Sequence, residues 1–138
     1  MPEMNKINMH TSYFARVLHH PRVRSGELEP VSIAHSQPPG FLFNTDHLLQ
    51  PHRDMVANLK SGKLSEELYR YQYISLLNSR LSAKLYLIDA SFKNSVLLCW
   101  EKPEAFCHRR IFAEWYYQKT GFIVPELVFE GEQQELTL

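Results

Sequence analysis

The chain has no excess of either charge: fifteen lysine and arginine side chains balance fifteen aspartates and glutamates. That balance excludes a strongly basic coat for nucleic acid, although not a local basic patch. No stretch reaches the roughly 18 consecutive apolar residues of a membrane helix, so no membrane partner is expected. The opening Met-Pro-Glu-Met-Asn-Lys has no apolar run of the kind a secretion signal carries. Cysteine is scarce, with only Cys99 and Cys107, so there is no disulfide framework. In the cytoplasmic setting this composition suggests, both thiols are expected to be reduced. The five glycines are scattered, and neither a dinucleotide fingerprint nor a phosphate-binding P-loop occurs. The Gly-x-Ser-x-Gly turn of α/β hydrolases is missing too. No cofactor is expected, and nothing repeats.

What remains suits one domain. A length of 138 residues with 44% apolar side chains supports a single core. The domain is expected over 1–130, followed by a flexible tail at 131–138. Ile7 to His10 reads as a first short strand and Phe14 to Leu18 as a helix, ended by His20-Pro21. Arg22 to Glu29 reads as loop. Val31-Ser-Ile-Ala34, between Pro30 and Pro38-Pro39-Gly40, has the pattern of a buried strand between turns. Phe41 to Gln50 is apolar but irregular. A helix is expected over Arg53–Leu59. A longer one follows Ser65, a good N-cap with Glu66 and Glu67 in the first turn. Leu68, Tyr69, Tyr73, Leu76, Leu77 and Arg80 then recur at helical spacing. Ser82 to Ser91 is a weaker helix. Ser95-Val-Leu-Leu-Cys99 is apolar throughout, as a strand covered on both faces must be. Helix from Pro103 to about Lys119 ends at Thr120-Gly121. Phe122 to Phe129 reads as a last strand, kept at an edge by Pro125.

This alternation predicts an α/β fold: a small, mostly parallel sheet of about four strands with helices on both faces. Ligands of such sheets bind beyond the carboxyl ends of the strands. The expected strand ends are His10-Thr11-Ser12, His35-Ser36 and Cys99-Trp100-Glu101. The richest is Cys99 to Arg110, Cys-Trp-Glu-Lys-Pro-Glu-Ala-Phe-Cys-His-Arg-Arg.

The run Val96 to Arg110, with a strand ending in Cys-x-Glu and a helix opening at Cys-His-Arg, resembles the signature of domain-of-unknown-function family 488. Phe112-Ala-Glu-Trp115 and Gly121 to Leu127 are also similar to that family. Upstream, Thr11 to Ala15, Val31 to Ala34 with Pro38 and Phe41, Lys60 to Gly62, and Tyr69 with Tyr73 are weaker matches. The likeness covers about Lys6 to Leu127. It implies an α/β fold with a shared pocket, but no agreed substrate. Relatives placed among DNA-repair and mobile-element or phage proteins add only a loose association. The family pattern carries arginine where this chain has His35. If that arginine holds an anion, the grip here is weaker or different.

The chemistry of the segment can be read residue by residue. Cys107 at a helix start would have a lowered thiol pKa, and the free amides with Arg109 would attract an anion. The plain alternative is a buried cysteine packing helix on sheet. His108 shares a helix face with Phe112 and Trp115, so it is either a general base in the crevice or a structural histidine. Glu101 is either an acid or base at the strand end or a solvated loop residue. Arg109 is favoured over Arg110 as the anion clamp, because neighbouring helical residues diverge by about 100°. Tyr69 and Tyr73, four apart, read as core. The expected site therefore comprises Glu101, Cys107 and His108 as catalytic groups, with Thr11, Ser12, His35, Cys99 and Arg109 binding the ligand. A metal held by Cys99, Cys107 and His108 with His35 or His10 is the rival; the spacing departs from common structural zinc motifs. The function expected is an enzyme acting on a nucleotide, a nucleic acid or a modified base. The alternatives are a non-catalytic accessory protein binding a nucleotide, nucleic acid or protein partner, and a Cys/His metal site.

Overall fold

A computed structural model of the chain describes residues 8–101 and 105–132, apart from the side chains at 90 and 91. Strand β1 (Asn8–Tyr13) runs into a single helical turn, α1 (Phe14–Val17). A second turn, α2 (Pro21–Arg24), leads to β2 (Glu29–Ser32) and the two-residue β3 (Asn44–Thr45). Helices α3 (Arg53–Lys60) and α4 (Glu66–Leu81) follow. A 3₁₀ turn (Ser82–Lys84) joins α4 to α5 (Leu85–Ser91). The chain then forms β4 (Asn94–Cys99) and α6 (His108–Thr120). The sheet order is β1-β4-β2-β3, and every pairing is parallel. The expected small parallel α/β sheet is thus observed.

The most apolar strand takes a central place. β4 pairs with β1 on one side and β2 on the other, burying Val96, Leu97 and Leu98 completely. Its side chains alternate between two cores. Leu97 joins Met9, Val31 and Ile33 under α4 and α6, whose contribution includes Tyr73, Leu77, Phe112 and Tyr116. Val96 and Leu98 join Phe14, Val17, Val23 and Leu28 on the opposite face. Helix α4 starts where its sequence says: the Ser65 hydroxyl accepts from the Leu68 amide at 3.1 Å. Helix α6 stops at Gly121, whose φ of 81° only glycine adopts without strain.

Several sequence expectations are corrected. The 22–29 loop begins with helix α2, because Pro21 opens the turn and the His20 ring accepts from the Arg22 amide at 3.1 Å. The His20 Nε2–H then donates to the Val128 carbonyl at 2.8 Å, so this buried histidine ties two segments together. Helix α6 begins at His108, with residues 105–107 outside it and Cys107 an extended N-cap of φ −153°; Pro103, where the helix is expected to start, lies outside the described residues. The 122–129 stretch makes only one parallel bridge to β1, at Thr11 and Glu126. It lies at the edge that Pro125 implied. Of the expected tail, residues 133–138 lie outside the described ones. Glu132, placed in that tail, is held by Arg16 at 2.7 Å.

Leu97→Ala would open a cavity between β4 and α6, with little room for collapse in a strand paired on both sides. The expected loss is about 3 kcal/mol, read as a lower urea midpoint at unchanged m-value.

Candidate functional site

A cavity of about 130 Å³ lies beyond the carboxyl ends of β2 and β4. Ala34, His35 and Ser36 leave β2 to form one side, and Cys99, Trp100 and Glu101 leave β4 to form another. Phe106, Cys107 and His108 close it from the start of α6. Pro51, Val56, Leu59 and Lys60 from in and before α3, with Tyr69 of α4, complete the wall. The rings are braced against one another. Phe106 meets Tyr69 edge-on at 5.5 Å, Tyr69 stacks with Tyr73 at 6.4 Å, and Tyr73 meets His108 edge-on at 5.4 Å. The Tyr73 hydroxyl, fully buried, donates to the Leu49 carbonyl at 2.5 Å. At the mouth, the half-exposed Trp100 donates its indole N–H to the Ser36 carbonyl at 3.1 Å and packs edge-on against Phe14.

His108 has one ring nitrogen committed. Its Nε2 lies 2.7 Å from the Ile33 carbonyl, which can only accept, so Nε2 carries the proton and Nδ1 is left with a lone pair. Burial, assisted by Arg109 and His35 and partly opposed by the Ile33 hydrogen bond, lowers its pKa to about 4. A ring held neutral so far below pH 7 is a poor general base. Glu101 offers a carboxylate at the wall; together with burial, its charge raises the pKa of the Tyr69 phenol, with burial the larger cause.

Arg109 is not an anion clamp. Its side chain has no solvent exposure, and its donors are all directed inward. Nε and Nη2 grip the two oxygens of Glu126 at 3.1 and 2.9 Å, while Nη1 meets Cys99 Sγ at 3.0 Å and the Glu101 carbonyl at 2.7 Å. Thr11 belongs to the same network, donating to Glu126 at 2.6 Å and accepting from Arg110 at 2.7 Å. Ser12 is fully buried in β1, and its hydroxyl has no hydrogen-bond partner among the described residues. Thr11, Ser12 and Arg109 therefore stand apart from the cavity: β1 extends to Tyr13, and the segment at 125–127 pairs alongside Thr11. Cys107 is not a free thiol: its sulfur is bonded to that of Cys99, since the end of β4 and the start of α6 meet there. The structure brings together five of the expected residues: His35, Cys99, Glu101, Cys107 and His108. Lys60, Trp100, Phe106 and the helix α3 wall were missed. Trp100 and Phe106 stand inside the Cys99–Arg110 segment, so their position was available as a signal; Lys60 stood only in one of the weaker upstream matches.

Cys99, Cys107 and His108 also place their donor atoms within 4.8 Å of one another, a set of ligand types that could hold a metal ion. Comparison of the chain with family models, with curated proteins and with solved structures finds no match.

Two outcomes are expected from this geometry. Glu126→Ala strands the buried Arg109 charge and should cost about 3 kcal/mol, whereas Arg16→Gln at the exposed Glu132 pair should cost under about 1 kcal/mol; denaturant midpoints compare them. His108 ionises near 6.5 when unfolded and near 4 when folded. The unfolded chain therefore binds the extra proton, and stability falls as pH drops from about 6.5 towards 4. The loss attributable to this ring is of the order of 3 kcal/mol. In His108→Gln the unfolding free energy should lose that part of its slope over the same interval.

Proposed function

We propose that the cavity binds the ring of a nucleotide or modified base, and that the protein acts on it as an enzyme with Glu101 as its acid–base group. One observation carries this reading: aromatic walls, a carboxylate and an ammonium converge on a space the size of a single ring. A cavity near 150 Å³ accepts one six-membered aromatic ring. Phe106, Tyr69 and Trp100 supply apolar and π surface for a base, and Lys60 supplies a cation for a phosphate. The bare Nδ1 of His108 can accept from a ring N–H without being protonated itself. Glu101 can accept or return a proton at the polar edge of the ring. The likeness of Cys99–Arg110 to family 488 agrees with a pocket at this junction and is silent on the reaction.

A second reading is capture without turnover. The observation favouring it is that Arg109 is consumed by Glu126 and the two sulfurs are joined, which leaves one carboxylate to carry proton transfer.

A thermal-shift series with free bases and nucleoside monophosphates tests the first reading. A ligand at about 100 times its Kd adds about 2.7 kcal/mol, a rise of several degrees in Tm for a domain of this size. Trp100→Ala should lose most of the rise. Glu101→Gln should keep it but lose conversion of the bound compound. Retained binding with no conversion by wild type would favour capture. Shifts of equal size in wild type and Trp100→Ala would remove the cavity from the proposal.

A further inference from the structure

We infer that Cys99, Cys107 and His108 form a site for a zinc-class divalent ion once the two sulfurs are reduced, with the fourth coordination position open to the cavity. The ion would take the His108 Nδ1 lone pair that the ring reading gives to a bound ring, so this inference does not rest on that reading. The three donors come from the last residue of β4, the N-cap of α6 and its first residue, and all three side chains are buried. Their ligand atoms already lie within 4.8 Å of one another. A tetrahedral ion with bonds of about 2.3 Å to sulfur and 2.0 Å to nitrogen needs ligand separations of roughly 3.5–3.8 Å. Reduction frees the two sulfurs to separate to that range, and the histidine nitrogen is already within 4.8 Å of both.

Three further features fit an ion. The His108 Nε2–H bond to the Ile33 carbonyl, 2.7 Å long, is the support that metal-binding imidazoles ordinarily have, and it turns the lone pair of Nδ1 into the ligand. The Arg109 guanidinium, 3.0 Å from Cys99 Sγ, and the free amides at the start of the 13-residue α6 beside Cys107 both favour thiolates. The Cα atoms of the two cysteines stand 7.4 Å apart. Bridged cysteines usually span about 4.4–6.8 Å, whereas two thiolates on one ion hold their sulfurs farther apart. All three ligands line the cavity, so an ion there presents its remaining position to that space. The same wall carries His35, whose Nε2 is buried and has no partner among the described residues. Two cysteines and a histidine with one open position is a ligand set used by catalytic zinc.

The redox step balances as follows. A dithiol reductant gives two electrons and two protons to the Cys99–Cys107 bond and becomes a disulfide itself. The S–S bond breaks, two thiols form, and binding of the divalent ion displaces their two protons. A disulfide oxidant reverses this: it accepts the two electrons and two protons from solvent to become a dithiol, the Cys99–Cys107 bond re-forms, and the ion is released.

The test uses the full chain, reduced with a dithiol under inert gas, freed of reductant and titrated with cobalt(II) or zinc. One cobalt per chain is expected, with the visible bands of tetrahedral coordination and a thiolate-to-cobalt charge-transfer band. Both features should vanish in Cys99→Ser, in Cys107→Ser and in the oxidised wild type. Wild type alone provides a check that no folding defect can disturb: zinc should shield both thiols from iodoacetamide and release about two protons. A reduced wild type that takes up no cobalt or zinc, or whose thiols alkylate equally fast with and without zinc, would overturn the inference. So would cobalt bands that survive in Cys107→Ser.

Discussion

One buried guanidinium fixes the geometry on which the candidate site depends. Arg109 projects from the first turn of α6 and reaches three pieces of chain: the Glu126 carboxylate beside β1, Cys99 at the end of β4, and the Glu101 carbonyl just beyond. A charge with no solvent exposure persists only if it is neutralised and its donors are occupied. Here the Glu126 carboxylate neutralises it, and each of its three nitrogens has a partner. Thr11 and Arg110 extend the network into β1 and the segment at Val124. The junction between central strand and final helix is therefore held from several directions, and the adjacent side chains Glu101, Cys107 and His108 inherit fixed positions.

The cavity follows from that junction. Rings at Phe106, Tyr69, Tyr73 and His108 form a continuous braced series from the start of α6 across α4. Tyr73 anchors it through the Leu49 carbonyl. A wall built in this way is preorganised: its rotamers are locked by packing before any ligand arrives, which lowers the ordering cost of binding. His108 contributes a neutral acceptor, not a proton shuttle, because its burial disfavours the charged form.

The fold was largely legible in the sequence. Runs such as Ser95–Cys99 leave little choice of strand, Ser65 with its acidic first turn marks a helix start, and Gly121 marks a helix end. The misplacements have physical causes. Helix α2 is created by a histidine cap working over a distance, in which His20 also reaches Val128. The 122–129 strand is reduced to one bridge as Glu126 turns to Arg109. The start of α6 lies at His108, where Cys107 stands extended as the N-cap and is bonded to Cys99. For the site, the Cys99–Arg110 segment lines the cavity through Cys99, Glu101, Cys107 and His108, but Arg109 does not face it. Exposed and buried arginines look alike in a sequence, and Glu126, its partner, lies 17 residues away. The α3 wall comes from a part of the chain read only as a short helix, and Lys60 lies just past the end expected for it.

The chain has two tryptophans, and they occupy contrasting places. Trp100 stands half-exposed at the mouth of the cavity, while Trp115 is buried with its indole N–H on Asn78 at 2.8 Å. The most direct measurement is therefore a ¹⁵N–¹H titration of the two indole resonances with a nucleoside monophosphate. Ring binding in the cavity requires the Trp100 signal to move saturably while Trp115 stays still. An unmoved Trp100 at saturating ligand, or backbone shifts confined to another face of the molecule, would contradict it.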